Sequence, residues 1–188
     1  MRDMLLWSQA AVGVMLLVGD VVGCARSPEQ EAMAFVRRLG GRADSIRRLD
    51  LAQTAATDGD LGQLAAVGDG ALAAVEELDL TRTRVTDRGL VALRAFPGLT
   101  KLTLTLTGVS DEGLAALEPL ERLADLALIE TGITDAAVEP LSRLTGVRRL
   151  VLMRTGVSAA GIARLRQSLP EAEIHVEPAA ARARRAAR

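Results

Sequence analysis

The chain of 188 residues holds one cysteine, Cys24, one histidine, His175, and one lysine, Lys101. A single thiol excludes an intrachain disulfide. A single imidazole without thiol partners makes no zinc site. Lys101 stands in no glycine-rich phosphate loop. Gly156 to Gly161 reads GVSAAG and sets Ser158 between glycines, but the spacing differs from the G-x-S-x-G of a strained nucleophile turn. Asp58, Asp60 and Asp69 lie close together in sequence without the further ligands that a calcium loop needs. Turn chemistry accounts for them. These residues predict a chain without catalysis, cofactor or metal.

Partners are narrowed by composition. A formal charge of −1 gives no overall attraction to nucleic acid or to a membrane. Trp7 lies in the first apolar run, tyrosine is absent, and Phe35 and Phe96 are the remaining aromatics. Single-stranded nucleic acid is bound by stacking bases on aromatic rings, and tight protein hot spots favour Trp, Tyr and Arg. The expected partner is therefore a polypeptide met by a shallow polar and aliphatic surface, not a nucleic acid. Arg182 to Arg188 holds four arginines and no acid, so residues 179–188 read as a basic, disordered tail.

The first 23 residues open with Arg2, continue through an apolar run and end in small residues, which predicts a secretory signal peptide. Val21-Val22-Gly23-Cys24 resembles the lipobox of bacterial lipoproteins. That resemblance implies cleavage after Gly23, lipidation of the Cys24 sulfur, and membrane anchoring in the bacterial cell envelope, facing periplasm or exterior. The alternative is an uncleaved membrane anchor. A span needs about 20 apolar residues, and Ser8, Gln9, Gly13 and Asp20 interrupt this one.

The elements that must carry any site are set by a repeat. Leu78/Leu80, Leu102/Leu104, Leu126/Leu128, Leu150/Leu152 and Ile174/Val176 follow one another at 24-residue intervals. Period-two apolar pairs make short strands with one buried face. Thr83, Thr107, Thr131 and Thr155 come three residues after the first four pairs, and Val85, Val109, Ile133 and Val157 two residues later. Thr86-Asp87, Ser110-Asp111 and Thr134-Asp135 predict helix N-caps with an acid at the positive end of the helix dipole. Leu90/Leu93, Leu114/Leu117, Val138/Leu141 and Ile162/Leu165 then recur at helical spacing.

Val75-Leu78-Leu80-Thr83-Val85 and Leu99-Leu102-Leu104-Thr107-Val109 resemble the leucine-rich repeat, with threonine at its Asn/Cys position. The phrase T-x-[VI]-[TS]-D-x-G-L resembles bacterial repeats related to the ribonuclease-inhibitor and F-box-associated types. The resemblance covers residues 46–178. It implies an α/β fold: a right-handed solenoid of about five 24-residue repeats, with a parallel sheet on the concave face and helices on the convex face. No such repeat stands alone, because stacking supplies its second buried interface. The first repeat, Ile46-Leu49-Leu51-Thr54, runs 29 residues to the next strand, and the excess falls near Gly68 to Leu72.

Residues 24–45 carry the anchor cysteine and a capping helix. Ser27-Pro28-Glu29-Gln30 predicts its capping box, Ala32, Phe35, Val36 and Leu39 its buried face, and Gly40 its stop. Pro178 ends the last strand. The threonine column is expected to satisfy inward-turned backbone groups through its hydroxyls.

Strand alternation places Arg48, Glu77, Lys101, Asp125, Arg149 and Glu173 in one outward row with strictly alternating charge. This row is expected to form a self-neutralising ladder that enforces register, with a charged ligand groove as the lesser reading. The next rows bring Ala127, Ile129, Val151 and Met153 together as an aliphatic patch, a candidate contact site. The leading expectation is a non-catalytic, monomeric, lipid-anchored envelope protein that binds a protein or peptide on its concave face. The alternatives are a structural spacer without a specific ligand, and an accessory sugar-binding or hydrolase component.

Overall fold

A computed structural model describes residues 26–67 and 70–177. The expected signal peptide, Cys24, Asp69, Pro178 and the arginine-rich tail lie outside the described residues. Seven short strands form one sheet in chain order: β1 (Arg42–Ser45), β2 (Arg48–Asp50), β3 (Glu77–Asp79), β4 (Lys101–Thr103), β5 (Asp125–Ala127), β6 (Arg149–Leu152) and β7 (Glu173–Val176). Strands β2 to β7 are parallel, and Leu49, Leu78, Leu102, Leu126, Leu150 and Ile174 stand in one register.

That register has two causes. Leu49/Leu51, Leu78/Leu80, Leu102/Leu104, Leu126/Leu128 and Leu150/Leu152 are all buried on one face of the sheet. Each such side chain contributes about 1.5–3 kcal/mol. A single carbonyl per repeat then fixes where the next strand starts. Arg47 O accepts the N–H groups of Glu76 and Glu77, Glu76 O those of Thr100 and Lys101, Thr100 O those of Ala124 and Asp125, and Ala124 O those of Arg148 and Arg149.

The N-terminal end is closed by helix α1 (Pro28–Arg38). Gln30 N–H donates to Ser27 Oγ at 3.3 Å while Ser27 N–H donates to Gln30 Oε1 at 3.1 Å, the expected reciprocal cap. Ala32, Phe35 and Val36 are its buried face, and Gly40 leaves the helix in the left-handed region. One strand lies outside the repeat pattern. β1 pairs antiparallel with β2, and Ile46 lies in the turn between them, packed against the core. β1 makes the outer edge of the sheet, and α1 packs against it, so the edge is covered.

Behind the sheet run helices α2 (Asp58–Ala65), α3 (Asp87–Leu90), α4 (Val138–Ser142) and α5 (Ala159–Ser168), with 3-10 turns at Ala71–Ala74, Val91–Ala95, Asp111–Leu117 and Asp135–Ala137. Only the first and last repeats hold α-helices of eight residues or more; the middle repeats use shorter and tighter turns. Among the described residues, no helix is long and apolar enough to cross a membrane.

Of the three expected caps, Thr134 makes the local bond, accepting Ala136 N–H at 3.3 Å. Thr86 and Ser110 occupy N-cap positions without a side-chain cap bond. Each is held by the aspartate of the preceding repeat. Asp58 accepts Thr86 N–H at 2.7 Å and its hydroxyl at 2.6 Å; Asp87 accepts the same pair from Ser110 at 2.8 and 2.6 Å, and Asp111 from Thr134 at 2.7 and 2.6 Å. Asp135 accepts Ser158 N–H at 2.7 Å. This explains the glycine two residues after Asp87 and Asp111. A Cβ at Gly89 would lie 2.5 Å from Asp58 Oδ1, and one at Gly113 2.3 Å from Asp87 Oδ1. The first repeat has no upstream aspartate. There Asp60 stands in the glycine position, and its Oδ2 accepts Thr57 N–H at 2.8 Å and the Thr57 hydroxyl at 2.7 Å.

The threonine column acts within the repeat at four positions, while the Thr131 hydroxyl is buried without a hydrogen-bond partner among the described residues. The hydroxyls of Thr54, Thr83, Thr107 and Thr155 donate to the carbonyls of Leu51, Leu80, Leu104 and Leu152 three residues earlier. The residue before each threonine turns the chain. Gln53, Arg82, Leu106, Glu130 and Arg154 all take φ between 53° and 60°, the left-handed region that L-residues rarely enter.

Candidate functional site

The face of the sheet opposite the leucines carries the candidate site. Arg48, Glu77, Lys101, Asp125, Arg149 and Glu173 are registered opposite one another as the alternation predicts. Glu77 lies 3.6 Å from Arg48 and 3.9 Å from Lys101, and Asp125 lies 3.6 Å from Arg149. Among the described residues, no ion pair closes between Lys101 and Asp125 or between Arg149 and Glu173. All these side chains are solvent-accessible, so each closed pair contributes about 0–1 kcal/mol. Arg48, Glu77, Asp79, Lys101 and Thr103 surround a depression of about 80 Å³, too small for a drug-sized ligand.

The second row reads Asp50, Asp79, Thr103, Ala127, Val151 and His175 in register. Asp50 Oδ1 accepts Ala52 N–H at 2.9 Å, and Asp79 Oδ1 accepts Thr81 N–H at 2.8 Å. These bonds shape the turn after each strand, a role that sequence reading missed; the signal was an aspartate two residues before the turn in both repeats. His175 Nε2 lies 3.2 Å from Glu173 Oε1. The third row includes Thr81, Thr105, Ile129 and Met153, whose carbonyls accept N–H groups from Gln53, Arg82, Leu106 and Glu130.

The aliphatic group is placed as follows. Met153 is 36% exposed, and Ala127 and Ile129 are half-buried. Val151, expected at the surface beside them, is only 8% exposed. It is short, it stands between Ala127 and His175 in register, and the longer Arg149 and Met153 share its face on the same strand. The exposed apolar surface is thus narrower than the four-residue patch. At its border Arg154 pairs with Glu130. The Glu130 hydrogen bond, and then its charge, hold Arg154 above the ordinary arginine range. The other large exposed apolar residue among those described is Val91, in the helical layer.

The residues considered for chemistry have structural positions. Ser158 caps α5, accepting Gly161 N–H at 3.1 Å. Asp58 and Asp60 belong to the cap ladder. Among the described residues, no group of three or more His, Cys, Asp or Glu side chains could hold a metal ion.

A model of the leucine-rich repeat matches residues 74–93 and 99–117, two adjacent turns of this array. The fold is a leucine-rich-repeat solenoid. Solved structures are similar at low identity. An internalin from Listeria monocytogenes is 17% identical, with a TM-score of 0.39 over 58% of this chain and 36% of its own length. Internalin C2 from the same organism is 18% identical, with a TM-score of 0.45 over 79% of this chain and 86% of its own. A TLR13–ssRNA13 complex is 25% identical, with a TM-score of 0.42 over 57% of this chain and 15% of its own. The chain thus spans about a third or less of two of these relatives. No curated protein matches the sequence.

Proposed function

We propose that this leucine-rich-repeat chain is a non-catalytic binding protein of the bacterial envelope, anchored through lipid on Cys24, that engages a protein partner with the open face of its sheet. The observation that carries this reading is the contrast between two rows of that face. The charged row is largely neutralised within itself, whereas Ile129 and Met153 present apolar surface over which none of the described elements is laid. Apolar surface framed by charge is what a partner desolvates with profit. The solenoid is a monomer in this reading, and its partner is a polypeptide and not a nucleic acid.

The anchor follows from the position of Cys24 after the apolar run and before the cap. Ser27 opens the folded domain, so two residues separate it from Cys24, a reach of about 10 Å. The solenoid then sits close to the bilayer, where Arg26, Arg37, Arg38 and Arg42 meet anionic headgroups.

Two experiments test the halves of this proposal. Cys24→Ser is expected to abolish incorporation of a fatty-acid analogue and release the chain from membranes. Continued labelling of the variant removes the anchor. Capture of a saturable partner from envelope extract is expected for the native chain and not for a folded Ile129→Asp variant. Equal capture by both removes the open face and leaves the spacer reading.

A further inference from the structure

The second outward row changes character along the solenoid. It begins with two carboxylates, Asp50 and Asp79, passes Thr103, and reaches Ala127 and Val151. Asp50 and Asp79 are direct cross-strand neighbours in the parallel register. Like charges so placed repel, and the adjoining row avoids this arrangement at every rung. Among the described residues, neither Asp50 nor Asp79 closes an ion pair. Arg42 is registered with Asp50 across the hairpin, yet no ion pair forms there either. The basic residues nearest in the first row, Arg48 and Lys101, are both directed to Glu77. The face therefore offers uncompensated negative charge at one end and aliphatic surface at the other, with Thr103 and Thr105 between.

We infer that the open face takes an extended peptide in which a lysine or arginine stands four residues from an aliphatic residue. The basic side chain meets Asp50 and Asp79, and the aliphatic one meets Ile129 and Met153. This specifies the partner of the binding reading above and rests on it. The spacing follows from strand geometry. The midpoint of β2 and β3 lies three strand spacings from the midpoint of β5 and β6, about 14 Å, and Ile129 and Met153 stand two residues, about 7 Å, further along their strands than the row of Asp50 and Asp79, so the two ends are about 16 Å apart. An extended chain advances about 3.3 Å per residue, so four residues cover about 13 Å, and the long lysine or arginine side chain spans the remaining gap of about 3 Å. An even offset also turns both side chains to the same side. An offset of two covers less than half the distance, and an offset of three turns one side chain away. A helical ligand with the same offset spans about 6 Å and fails to bridge the two ends. The threonine hydroxyls between the ends can donate to or accept from the peptide backbone.

The test pans a display library of random seven-residue peptides against the full-length chain, its Ile129→Asp variant and its Asp79→Lys variant, each checked for folding by circular dichroism. Selected sequences are remade as fluorescent peptides and titrated by anisotropy. Enrichment of a basic residue four positions from Leu, Ile, Val or Met, in either chain direction, supports the inference. The remade peptide is then expected to weaken about fivefold on Asp79→Lys, the scale of one exposed charge contact, and about thirtyfold on Ile129→Asp, the scale of an interface anchor. Peptides that need Ile129 but show no basic residue at that offset overturn the inference and leave the face as a binding surface. Peptides indifferent to Ile129, or no enrichment at all, overturn both.

Discussion

Asp87 of one repeat holds Ser110 of the next with both carboxylate oxygens, accepting the backbone N–H at 2.8 Å and the hydroxyl at 2.6 Å. The contact crosses 23 residues of sequence and joins neighbouring turns of the solenoid on the side away from the open face. It recurs from Asp58 to Thr86 and from Asp111 to Thr134. Asp87→Ala strips the Ser110 N–H of its acceptor and is expected to cost about 1–3 kcal/mol. Asp87→Asn keeps one oxygen acceptor and is expected to cost less. Urea unfolding measures both. An unchanged midpoint for the alanine variant would show that the ladder is decorative.

The turn after each strand stores conformational cost that glycine would relieve. Arg82 takes φ 56° and its side chain is exposed. A left-handed L-residue costs about 1–2 kcal/mol, and the unfolded freedom of glycine returns roughly 0.5–1 kcal/mol of that. Arg82→Gly is therefore expected to raise stability by about 0.5–1 kcal/mol. Arg84→Gly, two residues on and outside the left-handed region, is expected to lower it. Thermal melts of the two variants moving in the same direction would contradict this account.

Charge reversal separates the ladder on the open face from the contact surface. Arg149→Glu sets a carboxylate between Asp125 and Glu173, both registered opposite it. The expected loss is about 1 kcal/mol, since the pairs are solvent-accessible, and added salt should recover most of it. A loss that persists in high salt would mean that Arg149 is held by packing and not by charge.

Most of the architecture was legible because the stacking forces repeat. The 24-residue interval fixed the leucine register and the alternating row from Arg48 to Glu173, and the helix that Ser27 caps was marked by its box residues. Three features left no usable mark. β1 has one buried residue, Ala43, in four, so no alternation announces it. The left-handed positions hold Gln, Arg, Leu, Glu and Arg, so no glycine flags them. A Thr-Asp pair reads equally well as a local cap, and its true partner lies a repeat away. Of the candidate site, the rows and their neighbours were readable. The covering of Val151 was not, because it depends on the relative lengths of the side chains around it, Arg149 and Met153 on its own strand among them.

The claim that the open face engages a protein is tested most directly by placing a photoreactive residue at position 153 or at position 91 of the native chain in its own cells. Met153 and Val91 are the two large exposed apolar residues among those described, one on the open face and one in the helical layer. Irradiation is expected to give one discrete protein adduct from position 153, lost when Ile129→Asp is added, and none from position 91. An adduct from position 91 without one from position 153, or no adduct from either, would contradict the account.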